Sequence, residues 1–184
     1  GRRDFGKTRT AMSDLGTAAV IDWRASQVKD FTRSELFART FAEGMDLVEE
    51  AAAYLDGGGR HDSKLLSRNA ALAYAGQSMR LTTQLMQVVS WLLVQRSVRD
   101  GEIAASDACE ERYRLAPEPA ERVLDPLPDD LPAGLVDLLE RSERLYGHVL
   151  HLDRRLYVEA EVVAEPNPVL SQFQRLNDAF GPKG

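Results

Sequence analysis

The chain has 184 residues, 28% of them charged, and a formal net charge of −6. That length suits one domain with a core of its own, and the acidic balance opposes general nucleic-acid binding, because the molecule as a whole repels phosphate backbones. The single cysteine, Cys109, cannot close an internal disulfide, and no apolar leader follows the basic N-terminus, so a reducing cytoplasm is the expected setting.

Residues 1–25 show no sustained period and cluster Arg2, Arg3, Lys7 and Arg9, which reads as a mobile N-terminal extension ahead of a domain over residues 26–162. The first strong element opens at Phe31. Thr32 and Glu35 have the T-x-x-E spacing of a capping box, with Phe31 and Leu36 at the staple positions. Phe37, Phe41, Gly44, Val48, Ala51 or Ala52, and Leu55 then recur every three or four residues, as on one face of a helix. Gly57, Gly58 and Gly59 supply a left-handed stop. Small residues at positions 44, 51 and 52 permit close approach of another backbone.

A second helix is predicted from about Ser67 to Asp100, closed by Gly101, with a length of roughly 50 Å at 1.5 Å per residue. Residues 81–95 within it are all uncharged. A membrane span needs about 20 mostly apolar residues, and this run is shorter and carries Thr82, Thr83, Gln84, Gln87, Ser90 and Gln95. At 100° per residue, Leu72, Met79, Leu81, Leu85, Met86, Val88, Val89, Leu92 and Leu93 share one arc of about 200°, expected to pack against two other helices. Opposite them, Arg80, Gln84, Gln87, Trp91 and Gln95 form the candidate protein-interaction stripe. Uncharged glutamines around an aromatic and an arginine match the composition of interface cores. The competing reading is a third helix or a loop wrapped over Trp91.

Residues 102–115 fit a short helix, after which Pro117, Pro119, Pro126, Pro128 and Pro132 mark a long surface connection. Leu135, Leu138, Leu139, Leu145, Tyr146, Val149, Leu152 and Leu156 define a third long helix ending near Ala160, with Glu140, Arg141, Glu143, Arg144, Asp153 and Arg154 toward solvent. Three long helices without a strand signal predict an all-α fold, an antiparallel three-helix bundle with a long central helix, a proline-rich loop before the third helix and flexible termini. In the tail, residues 163–184, Asn167 and Pro168 read as N-cap and first position of a last short helix. Its Leu170, Phe173, Leu176 and Phe180 share one side, a candidate tail contact that docks on the bundle or enters a partner's groove.

Catalytic patterns are missing. His148 and His151 are spaced i, i+3 but have no further ligands in pattern, so neither a metal nor another cofactor is expected. No Glu-x-x-His, no G-x-S-x-G and no phosphate loop with its lysine occurs.

The stretches SELFARTFAEGMDLVEEAAAYLDGGGR, residues 34–60, and ALAYAGQSMRLTTQLMQVVSWLLVQRSVRDGE, residues 71–102, resemble the RcdA family, regulators of CtrA degradation in alphaproteobacteria. The resemblance implies a small dimeric three-helix bundle that acts as a non-enzymatic proteolytic adaptor. Such a protein joins a ClpX unfoldase primed by a single-domain response regulator, CpdR, and delivers regulatory proteins or further adaptors to the ClpXP protease for cell-cycle-regulated degradation. A cytoplasmic location with recruitment to a cell pole is also implied. An adaptor needs a rigid body with two separate surfaces, and no chemistry of its own. Two other classes compete. A generic dimeric interaction protein, or a transcription-associated regulator with its basic arm on DNA, is one, although no helix-turn-helix with a basic recognition helix is present. A metal-binding bundle enzyme using His148 and His151 is the other.

Overall fold

The computed structural model describes residues 23–117 and 126–157. The expectations for the first 22 residues, for the middle of the proline-rich connection and for the tail helix with Leu170, Phe173, Leu176 and Phe180 lie outside the described residues.

Helix α1 covers residues 23–32, so positions 23–25 are helical and do not belong to an irregular extension. Thr32 closes this helix, its hydroxyl donating to the Lys29 carbonyl at 2.9 Å. The cap of the next helix therefore falls on Ser34, two residues beyond the expected Thr32: Ser34 has extended backbone, and its Oγ accepts from the Phe37 amide at 3.2 Å. From that cap α2 runs over Glu35–Asp56 and buries Phe37, Thr40, Gly44, Leu47 and Ala51. Close backbone approach is realised at Gly44, where an added Cβ would stand 2.7 Å from Leu92 Cδ1.

The glycine run ends α2 without a left-handed residue. Gly57 has φ −115°, and Gly58 opens a short helix, α3, over Gly58–Ser63. Gly59 is glycine for a packing reason, since a Cβ there would lie 2.6 Å from Tyr54 Cε1. Ser67 then caps α4, Arg68–Arg99, by accepting from the Ala70 amide at 3.3 Å, and the left-handed glycine follows it at Gly101, φ 78°. The predicted helix over 102–115 is instead two 3-10 turns, Asp107–Cys109 and Glu111–Tyr113. The last helix, α5, spans Ala133–Tyr157.

The described residues are all-α, with α2, α4 and α5 enclosing one core. Cross-helix pairs fix their directions. Arg96 stacks over Phe41 while Gly44 meets Leu92, and Glu50 pairs with Arg141 while Thr40 lies beside His148, so α2 is antiparallel to both neighbours, as expected for α4 but not for α5, the third helix of the expected bundle. Between α4 and α5 the numbers rise together: Gln84 with Ser142, Trp91 with Asp153, Gln95 with Tyr157. These two helices are parallel, and the described parts of the connection between them, residues 100–117 and 126–132, accord with that arrangement. The first part passes Asp153, bonded by the Leu115 amide, and Tyr146, whose hydroxyl donates to the Ala116 carbonyl, and in the second part Asp130 lies beside Ser67 at the start of α4.

Candidate interaction surface

Helix α4 has two faces poor in charge; the structure takes the competing reading for the Trp91 stripe, which is covered, and opens part of the apolar arc. Gln84, Trp91 and Gln95, three members of the proposed docking stripe, are at most 2% exposed. Each has a partner on α5. Ser142 donates to Gln84 Oε1 at 2.6 Å, the indole Nε1 of Trp91 donates to Asp153 Oδ1 at 3.0 Å, and Gln95 Nε2 donates to the Tyr157 hydroxyl at 3.0 Å. Asp153, expected toward solvent, has no exposed surface and also accepts from Arg114 Nη2 and the Leu115 amide. Phe31 of α1 closes over the indole with ring centroids 5.9 Å apart. Arg80 pairs with Glu143, and Gln87 is half-buried beside the returning connection. Gln84, Trp91 and Gln95 therefore form an interior seam between α4 and α5, and of the stripe only Arg80 and Gln87 stay partly accessible. Its polar groups tolerate burial because they bond one another. Burial also pushes the Tyr157 phenol above its ordinary range, against the pull of its Gln95 hydrogen bond.

The apolar arc divides in the opposite sense. Leu81, Leu85, Val88 and Leu92 are buried, whereas Leu72, Met79, Met86 and Leu93 are 68%, 70%, 65% and 40% exposed. These four recur every seven residues, and Leu65, just before the helix, continues the series at 76%. Around them lie Ala75, Gly76, Thr82, Thr83, Val89 and Ser90, small or β-branched and uncharged, and a Cβ at Gly76 would meet nothing. A seven-residue apolar repeat is the spacing of a helix-pairing seam. Beside Met86, an apolar groove of about 400 Å³ opens between Val94 and Leu115. The signal was present in the sequence as strict i+7 recurrence, narrower than the 200° arc in which it was merged.

Groups capable of chemistry are scattered. His148 Nε2 lies 3.5 Å from Thr40 Oγ1, and His151 is exposed one turn on. The Cys109 thiol donates to the Ala105 carbonyl, and burial raises its pKa, which disfavours the nucleophilic thiolate. Among the described residues no group of three or more His, Cys, Asp or Glu side chains could hold a metal ion, and no helix is long and apolar enough to cross a membrane.

A family model described as "Protein of unknown function (DUF1465)" matches residues 28–180. No curated protein matches the chain. Among solved structures, the crystal structure of RcdA from Caulobacter crescentus CB15 is similar, with 65% identity and a TM-score of 0.59, covering 71% of this chain and 98% of that one.

Proposed function

The chain belongs to the RcdA family, and from that membership we propose that it is a non-enzymatic adaptor in regulated proteolysis. In this reading it docks with a ClpX unfoldase primed by a CpdR-like single-domain response regulator and delivers regulatory proteins, or further adaptors, to ClpXP. The observation that carries the reading is the high identity to RcdA over almost the whole of that protein, whose family is named for regulating CtrA degradation. A rigid bundle presenting an accessible, uncharged helix face accords with a protein that works by holding others together. The same reading places the protein in the cytoplasm, with recruitment to a cell pole through its partners.

The exposed face of α4 is the self-association surface in this proposal. The order Leu72, Met79, Met86, Leu93 is palindromic, so a two-fold axis between Thr82 and Thr83 sets Leu72 against the partner's Leu93 and Met79 against the partner's Met86. An isologous interface requires such self-complementarity. Gly76 and Ala75 let the partner's helix come close.

Reconstitution tests the function. Purified ClpX, ClpP, a CpdR-like receiver domain and CtrA as cargo are mixed with or without this chain, and cargo loss is followed by gel. Degradation should accelerate severalfold only when chain and receiver domain are both present. Equal rates with and without the chain would remove the adaptor reading and leave an interaction module of another pathway.

A further inference from the structure

Helix α5 carries a basic line that the α4 face does not involve. Arg144, His148, His151 and Arg155 follow one another at i, i+4, i+7 and i+11, all exposed, so they form one row along the helix. Their neighbour Arg141 forks onto Glu50 with two hydrogen bonds of 2.7 Å, whereas Arg144 and Arg155 make no ion pair among the described residues. Glu43 on α2 and Glu140, one turn before Arg144 on α5, are exposed, and neither pairs with these arginines. Basic residues are expected near a helix C-terminus, where they complement the macrodipole. That accounts for Arg155 in the last turn and not for Arg144, three turns earlier.

Gly147 lies within this row, in mid-helix. Glycine weakens a helix interior relative to alanine, and at Gly147 an added Cβ would meet nothing within 4 Å, so no intramolecular contact requires it. A backbone arriving from outside would. At its far end the row runs into a groove of about 360 Å³, where Arg155 adjoins Trp23, Leu36 and Leu156. Trp23 and Leu36 are 43% and 40% exposed, and Asp30 is the one carboxylate among the lining residues.

We propose that this surface docks an acidic amphipathic segment of a partner protein: carboxylates along the arginine-histidine row, backbone across Gly147, and an apolar side chain in the groove beside Trp23. Charge complementarity selects the occupant, because Arg144 and Arg155, exposed on one line of an acidic chain and without an ion pair among the described residues, attract carboxylates there. The assignment rests on the adaptor reading in one respect, in that it supplies the second surface an adaptor needs.

The test uses the full chain and a fluorescein-labelled helical peptide of glutamate and alanine with a terminal Leu-Phe anchor, followed by fluorescence anisotropy. Its controls are the same peptide with glutamine for glutamate, phosphatidylserine vesicles and a short DNA duplex. The acidic peptide should bind, weaken as salt rises, and lose at least tenfold in affinity to R144E/H151E. Gly147→Leu, at an open position, should keep the fold by circular dichroism and lose at least fivefold. Equal binding of the glutamine peptide, indifference to either variant, or binding of only vesicles or DNA would overturn the proposal. Loss of self-association in R144E/H151E would also overturn it by giving the face to a second copy. No protease component is present, so failure here is separate from failure in the reconstitution.

Discussion

The indole of Trp91 donates to a carboxylate with no accessible surface, and this makes both side chains sensitive to small changes. Trp91→Phe keeps most of the ring but leaves Asp153 short of one donor, which should cost about 1–3 kcal/mol for an unsatisfied buried group. Trp91→Ala adds a cavity, and large-to-small aromatic truncation costs about 3–5 kcal/mol. Urea unfolding of both variants checks the order, and an alanine variant as stable as the parent would contradict the seam. Tyr157 gives a pH prediction. Its folded pKa is raised from the ordinary 10.0 by burial, so above pH 10 the unfolded chain releases a proton that the folded chain keeps. With fewer protons bound in the unfolded state, stability falls as pH rises. It is complete below pH 10 and should decline above it, and Tyr157→Phe should flatten that decline in alkaline denaturation profiles. Asp153 shows why the seam escaped the sequence reading. Positions 149, 152, 153 and 156 share the spacing of a buried face, but a charged residue is usually placed in solvent on frequency alone, and its three donors all lie 38 or more residues away in sequence.

At the scale of elements, helix α5 contains two glycines whose replacement should act with opposite sign. A Cβ at Gly134 would lie 2.6 Å from Tyr54 Cε2, against a ring wedged between Gly134 and Gly59, whereas a Cβ at Gly147 would meet nothing. Gly134→Ala should therefore cost about 1–3 kcal/mol through overpacking, and Gly147→Ala should gain about 0.4–1 kcal/mol by restricting the unfolded chain and favouring the helix. Thermal unfolding of the two single variants decides the matter, and a shift in the same direction for both would refute the packing around Tyr54. Helix spans were legible from periodicity and caps: the start of α4 at Ser67 and its end before Gly101 are read directly from residue type. The start of α2 was displaced because Thr32-x-x-Glu35 and Ser34-x-x-Phe37 both offer a hydroxyl acceptor. Only the presence of α1 ahead of them, with Thr32 as its last residue, selects Ser34.

For the whole molecule, the bundle was readable from three apolar periodicities, but the parallel course of α4 and α5 was not. Helix length says nothing of the path between helices, and that path is set by bonds from Leu115 and Ala116 to residues of α5. The same long connection helps to cover the Trp91 side of α4 and leaves the Leu72 to Leu93 side open. An uncovered apolar line of about 32 Å, at 1.5 Å per residue, is more than scattered surface hydrophobes and calls for a partner. If that partner is a second copy in the palindromic register, a charge at Met79 meets the partner's Met86. Met79→Lys alone and Met86→Glu alone should each weaken association by at least tenfold in sedimentation equilibrium, since an isolated charge would be buried against thioethers. Combined in one chain they should restore much of it, because an antiparallel pair places each lysine against the partner's glutamate. A parallel pair would instead oppose lysine to lysine and glutamate to glutamate and weaken association further. Restoration thus supports both the face and its direction. Additive loss keeps the face and excludes the antiparallel register, and no effect from either single change would mean that self-association uses another part of the molecule.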